Sequence, residues 1–148
     1  MKAVIQRVSQ ASVSINQKTT AKIGPGFLVL LGVGENDTEK DVDYLVKKIA
    51  NLRIMPDQKD KMNLSLKDTN GEILIISQFT LYADTKKGNR PSFIQAAEPQ
   101  KAEKLYRLFI QKTKQEGINV KSGRFAAMMD ISLVNSGPVT IIISSKNP

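Results

Sequence analysis

The run Ile73-Leu74-Ile75-Ile76 has the make-up of a strand covered on both faces, yet it passes directly into Ser77-Gln78-Phe79-Thr80-Leu81. Polar side chains gathered at the C-terminal end of an apolar strand suit a ligand site, because strand ends in sheets with parallel neighbours open into crevices. A strand that merely reaches solvent would show the same residues. A second segment of interest is Asn135-Ser136-Gly137-Pro138-Val139-Thr140. Gly-Pro between the apolar runs 131–134 and 139–143 reads as a turn joining two strands. Only about 5–6% of X-Pro bonds in folded proteins are cis, and a cis bond here would aim two successive carbonyl oxygens the same way. Between these segments, Thr85 to Phe93 carries Lys86, Lys87 and Arg90. Three cations just after a polar strand end suit phosphate contact, and they equally suit a solvated loop.

What is missing narrows the chemistry further. The 148 residues include no cysteine, histidine or tryptophan. That excludes disulfides, Ser-His-Asp and Cys-His catalysis, and zinc sites of the usual Cys/His type. Catalysis would have to use hydroxyls, carboxylates, amines, backbone amides or groups of the substrate. Gly32-Val33-Gly34 lies where a dinucleotide loop would lie, but Asp37 occupies the position of the third glycine, so these glycines read as a turn. The acidic run Glu35, Asp37, Glu39, Asp41 lacks the central glycine and closing Glu of a calcium loop. It reads as a solvated stretch that complements a helix N-terminus. With 22 Lys+Arg against 14 Asp+Glu the net charge is +8, which favours a polyanionic partner such as nucleic acid. No run approaches the ~20 apolar residues of a membrane helix, and the N-terminus lacks a secretory apolar region. A cytoplasmic protein with no membrane partner is the expectation.

These segments need a scaffold. The opening residues alternate in character through Val4, Gln6, Val8 and then Ala11, Val13, Ile15, the period of strands with one buried face. Gly24-Pro25-Gly26 is a turn, and Phe27 to Val33 is a strand covered on both faces. Thr38 and Asp41 form a capping box ahead of Val42, Leu45, Val46 and Ile49, one helical stripe. Pro99 starts a second helix with Ala102, Leu105, Tyr106 and Phe109 as its stripe, and Gly117 ends it. Many strands and two main helices, without regular βαβ alternation, predict one α+β domain over 1–148. Its sheet should be mixed, mainly antiparallel and barrel-like.

Taken together, these segments closely resemble the D-aminoacyl-tRNA deacylases. The match runs from Ile5-Gln6-Arg7-Val8 through Lys61-Met62-Asn63-Leu64, Ser77-Gln78-Phe79-Thr80-Leu81 and Arg90-Pro91-Ser92-Phe93. It ends in Gly123-Arg124-Phe125-Ala126-Ala127 and Val134-Asn135-x-Gly137-Pro138-Val139-Thr140. The resemblance implies hydrolysis of the ester between a D-amino acid and the 3′ end of tRNA, and also of glycine mischarged on tRNA(Ala). It implies a homodimer with active sites at the subunit interface; no cofactor and no metal are expected. It implies a cis Gly137-Pro138 that enters the partner's site and denies space to an L side chain, with Arg7 holding the turn. Ser77, Gln78, Phe79 and Thr80 map onto the catalytic strand end, and Phe125 and Met129 onto the pocket of the terminal adenosine. Two positions depart from the pattern. Ser136 stands where Asp is frequent, and Tyr82 stands where a small residue is common, placed to narrow or cover the site mouth.

Thr80 is the tempting nucleophile, but nothing next to it in sequence could serve as its base. The preferred expectation is attack by water, assisted by the ribose 2′-hydroxyl, with the Phe79 and Thr80 amides stabilising the oxyanion. Three alternatives stand beside this one: a non-catalytic RNA-binding β module, for which aromatic residues are few, a hydrolase that binds metal through carboxylates alone, and a purely structural dimer.

Overall fold

The computed structural model describes residues 1–146. In chain order the elements are β1 (Lys2–Ile15), β2 (Lys18–Ile23), β3 (Gly26–Gly32), α1 (Glu39–Ala50), β4 (Met55–Pro56), β5 (Met62–Leu64), α2 (Leu66–Thr69) and β6 (Glu72–Ser77). A 3₁₀ turn (Phe79–Tyr82) follows, then α3 (Pro99–Gln115), β7 (Asn119–Ser122) and β8 (Asp130–Ser144). The main sheet runs β2-β1-β3-β6-β7, with β8 paired along β1. β1 is antiparallel to β2, β3 and β8, whereas β3, β6 and β7 are mutually parallel. The result is an α+β fold on a mixed, barrel-like sheet. Pairs of β4 and β5 form a separate two-stranded ribbon.

Two hydrophobic clusters explain why β3 and β6 read as unbroken apolar runs. Phe27, Val29 and Leu31 alternate with Leu28, and Ile73 and Ile75 alternate with Leu74 and Ile76. The first set packs beneath α1 and α3 with Leu45, Ile49, Leu105 and Phe109. The second set fills the opposite face with Val8, Ala11, Val13 and Ile23. Each fully buried Leu, Ile or Phe side chain contributes about 1.5–3 kcal/mol relative to exposure, so both faces are strongly specified. The helices match their sequence stripes. Thr38 and Asp41 form the capping box of α1, Pro99 opens α3, and Gly117 follows α3 with φ +81°.

Three features differ from the sequence expectation. β7 lacks a continuous apolar run and is recruited by parallel pairing with β6. The acidic run is not uniformly solvated, since Asp37 and Asp41 are buried at 2% and 5% exposure. Most consequential for the site, residues 135–138 do not join two separate strands. β8 continues through them, and its two halves pair with β1 in the same direction, Ile131–Asn135 opposite Val13–Val8 and Thr140–Ser144 opposite Gln6–Lys2. Ser136 to Val139 are extruded from the ladder opposite Arg7, where the register of β1 also slips. The period-two burial of β1 changes phase at each of two register shifts: Ala3 and Ile5 are buried before the first, Val8 between them, and Ala11 and Val13 after the second.

Candidate active site

β6 ends at Ser77, and the chain turns at once into Phe79–Tyr82. The turn lies on the neighbouring parallel strand. The Gln78 N–H donates to Leu31 O at 2.8 Å, and Leu81 and Ala83 N–H close the turn on Gln78 O and Thr80 O at 3.3 and 3.0 Å. The Phe79 and Thr80 amides precede the first hydrogen bond inside the turn. Lys2 Nζ donates to Leu81 O at 3.3 Å and stands 4.6 Å above the Tyr82 ring. Gly32 allows this approach, since a Cβ there would meet Gln78 O at 3.0 Å and Leu81 Cβ at 3.1 Å.

The strand end opens into a cavity of about 660 Å³. Ser77, Gln78 and Phe79 line one side, and Phe125 and Met129 line another. These five of the expected site residues are therefore brought together. Thr80 is exposed beside them, and its Oγ1 accepts a hydrogen bond from Gln78 Nε2 at 2.5 Å. No hydrogen bond joins Thr80 to a carboxylate or an amine among the described residues. Gly123 makes room for Met129, whose Sδ lies 2.7 Å from where a Cβ would stand. Tyr106 backs Phe125 with ring centroids 5.9 Å apart and donates its hydroxyl to Ile75 O at 2.8 Å. Burial pushes its phenol up to about 12, so it remains a donor.

Sequence reasoning left some of the cavity wall unassigned. Phe93 lines it and meets Phe79 edge to face, with centroids 5.0 Å apart. Ala96, Ala97 and Ala102 line it as well. The signal was the cluster of small residues after the basic loop, where α3 must pass close to the strand end.

Lys86, Lys87 and Arg90 project from an exposed loop whose base is closed by Asp84 N–H on Ser92 O at 2.8 Å and Ser92 N–H on Asp84 O at 2.9 Å. Asp84 Oδ1 also accepts the Lys86 N–H at 2.9 Å. Lys87 and Arg90 flank a smaller cavity with Asp84 and Ser92.

Gly137, Pro138 and Arg7 do not line the large cavity of their own protomer. Gly137 and Pro138 are exposed, and the bond between them is cis. Arg7 holds the base of the extruded segment, donating from Nε to Ser136 O at 3.0 Å and from Nη1 to Ile54 O at 2.7 Å. Asn135 clasps the same segment. Its Oδ1 accepts the Val139 N–H at 3.0 Å and its Nδ2 donates to Thr140 Oγ1 at 3.0 Å. Gly137 has φ +131°, and a Cβ there would stand 2.8 Å from Arg7 Nη2.

Tyr82 does not cover the site mouth. Its ring packs on Gly34 and its hydroxyl donates to Asp37 Oδ2 at 3.2 Å. Burial first, then the charge and hydrogen bond of Asp37, push the phenol above its ordinary range.

The D-Tyr-tRNA(Tyr) deacylase family model matches residues 4–144. The chain belongs to that family. Among similar proteins, a D-aminoacyl-tRNA deacylase of Dehalococcoides mccartyi strain CBDB1 is 57% identical over 147 residues, covering 99% of this chain and 96% of the relative. One from Bacillus velezensis is 52% identical over 146 residues, covering 99% of each. The solved structure of a c-Myc DNA unwinding element binding protein is 40% identical, with TM-score 0.91 over 97% of this chain and 98% of that one. A probable eukaryotic D-amino acid tRNA deacylase shares the fold at 18% identity and TM-score 0.83, covering 96% of this chain and 97% of that one. Within the family's span lie both the strand-end cavity and the extruded Gly-Pro segment.

Proposed function

We propose that the cavity at the end of β6 hydrolyses the ester of D-aminoacyl-tRNA. Membership of the deacylase family makes the chain a hydrolase of aminoacyl-tRNA, and the cavity is the observation that carries the assignment to these residues. Its volume of about 660 Å³ suits an aminoacylated adenosine. Phe125 and Met129 offer an apolar wall for the base, while Ser77, Gln78 and Thr80 offer polar groups near the ester.

In this reading Phe79 and Thr80 present their amides to the developing oxyanion. Removing one such donor typically slows a reaction about 10²–10³-fold. Water attacks the carbonyl carbon and the C–O bond to the ribose breaks. The free 2′-hydroxyl of the substrate assists proton transfer to the departing 3′-oxygen. Thr80 positions groups and forms no covalent intermediate, in keeping with a hydroxyl that is bonded to the Gln78 amide. Lys86, Lys87 and Arg90 contact phosphates of the acceptor end.

Handedness comes from a second copy of the chain. Gly137 and Pro138 are exposed, stand apart from their own cavity, and sit on a strand that also exposes Val134 and Ile142 at 48% and 73%. Placed in a partner's cavity, their carbonyls would fill the space of an L side chain and leave room for a D residue or glycine. Glycine mischarged on tRNA(Ala) then becomes a substrate as well.

Purified protein given matched D-, L- and glycyl-tRNA tests this reading. Release of the D-amino acid and of glycine, with the L ester left intact, is the expected result. Equal turnover of both enantiomers overturns the selection, and no turnover of any ester overturns the activity. Mixing a Gly137→Val protein with a Gln78→Ala protein should restore part of the lost activity, because a mixed dimer holds one composite site with both residues intact.

A further inference from the structure

The strand-end turn is secured from behind by a chain of contacts that starts at the N-terminal ammonium. Met1 is fully buried, and its ammonium lies 2.6 Å from Asp37 Oδ1 and 2.5 Å from Ser145 Oγ. The other oxygen of Asp37 accepts the Gly34 N–H at 2.6 Å and the Tyr82 hydroxyl at 3.2 Å. Tyr82 is the last residue of the turn that carries Phe79 and Thr80. A Cβ on Gly34 would stand 2.7 Å from the Tyr82 hydroxyl, so the glycine admits the ring to the carboxylate.

From this geometry we infer that Asp37 and Tyr82 are positioning residues for the Phe79–Thr80 segment. The inference rests on the cavity being the hydrolytic site. The Asp37 carboxylate cannot drift, because the ammonium and the Gly34 amide fix both of its oxygens. A hydroxyl that donates to a fixed, buried charge ties the end of the turn to that charge. The turn has only four residues, and its front face opens on the cavity, with Phe79 54% exposed and set edge to face against Phe93. Its placement therefore depends on the groups behind it: Leu31 O, Lys2 and, through the Tyr82 hydroxyl, Asp37. Neither Asp37 nor Tyr82 lines the cavity, so neither touches the reacting atoms.

Tyr82→Phe tests the tie, since it removes one oxygen and keeps the ring against Gly34 and Lys2. Two readouts are needed: steady-state deacylation of D-tyrosyl-tRNA, and amide hydrogen exchange along the chain. The variant is expected to lose about tenfold or more in kcat with KM within about twofold, because misplacement of a reacting group by 1 Å can cost about 10²-fold. Exchange at Leu81 and Ala83 should quicken about tenfold or more, while Ile75 and Phe109 in the core keep their protection. Asp37→Ala should reproduce the local exchange pattern at Leu81 and Ala83. Wild-type kcat in Tyr82→Phe, or a loss that tracks equally faster exchange everywhere, overturns the inference. If the wild-type protein hydrolyses no D-aminoacyl-tRNA, the activity reading falls instead, and the exchange data still decide whether Tyr82 holds the turn.

Discussion

At the scale of single residues, the site is notable for how little reactive chemistry its side chains contain. Thr80 is exposed and bonded to an amide, Gln78 Nε2, which cannot take its proton. Thr80→Ala is therefore expected to keep a substantial part of wild-type kcat, within about tenfold, whereas tRNA ending in 2′-deoxyadenosine should be turned over far more slowly. Single-turnover deacylation with both substrates measures this, and near-complete loss in a folded Thr80→Ala protein would point to covalent catalysis. Gly137 is constrained by its backbone. With φ +131° and with Arg7 Nη2 and Val139 Cγ2 each 2.8 Å from where a Cβ would stand, Gly137→Ala should destabilise by more than the ~1 kcal/mol that such a change can gain at a compatible position. Chemical denaturation compared with wild type reads that cost. The candidate site was only partly legible in the sequence at this scale. Ser77, Gln78 and Thr80 stood out because polar groups interrupted an apolar strand. Tyr82 could not be placed, since its direction is set by Asp37, 45 positions earlier, and by the absence of a side chain on Gly34.

At the scale of elements, local periodicity was a good guide and long-range pairing was not. The stripes of α1 and α3 were readable because each helix buries one face on one cluster. β7 was not, since Asn119–Ser122 has few apolar residues and owes its strand form to β6. The continuity of β8 was hidden as well, because a Gly-Pro pair marks a turn in nearly every context and only β1 dictates that the strand resumes in line. The burial of Asp41 was likewise invisible, as its partners Ser145 and Lys146 are over 100 positions away. Burial pushes its carboxyl up, but hydrogen bonds from Ser145, Lys146 and Thr38 outweigh that and hold it well below the ordinary 3.8. A carboxylate depressed on folding stabilises the protein above its unfolded value and loses that contribution as pH falls toward its folded value. Stability should therefore fall as pH drops below about 4. Asp41→Asn should flatten that acid limb, as denaturation midpoints taken from pH 6 to pH 2.5 would show.

At the scale of the whole molecule, charge and chain ends matter more than any one side chain. A buried ammonium against Asp37 ties the first strand to the loop before α1 and, through Tyr82, to the site. Residues added ahead of Met1 would turn that ammonium into a neutral amide and leave the carboxylate unpaired. Breaking a buried pair from one side costs about 3–5 kcal/mol, which corresponds to a fall of roughly 10 °C in Tm for a domain of this size. A tag at the C-terminal end should have no such effect, and thermal unfolding of the two forms decides it. The net charge of +8 acts over longer distances and favours a polyanionic partner. Because the basic loop lies outside the cavity, its cations should bind phosphates with little regard for base identity. Each phosphate neutralised contributes about 0.7–0.9 to the slope of log K against log[salt], so three contacts contribute about 2–3. Replacing Lys86, Lys87 and Arg90 with alanine should lower affinity for uncharged tRNA and make the salt slope shallower by about that amount. The rate constant for bound substrate should be unchanged, because none of the three lines the cavity. An unchanged salt slope in the triple variant would move the phosphate contacts elsewhere on this basic surface, and a lower rate at saturating tRNA would mean that the loop also shapes the site.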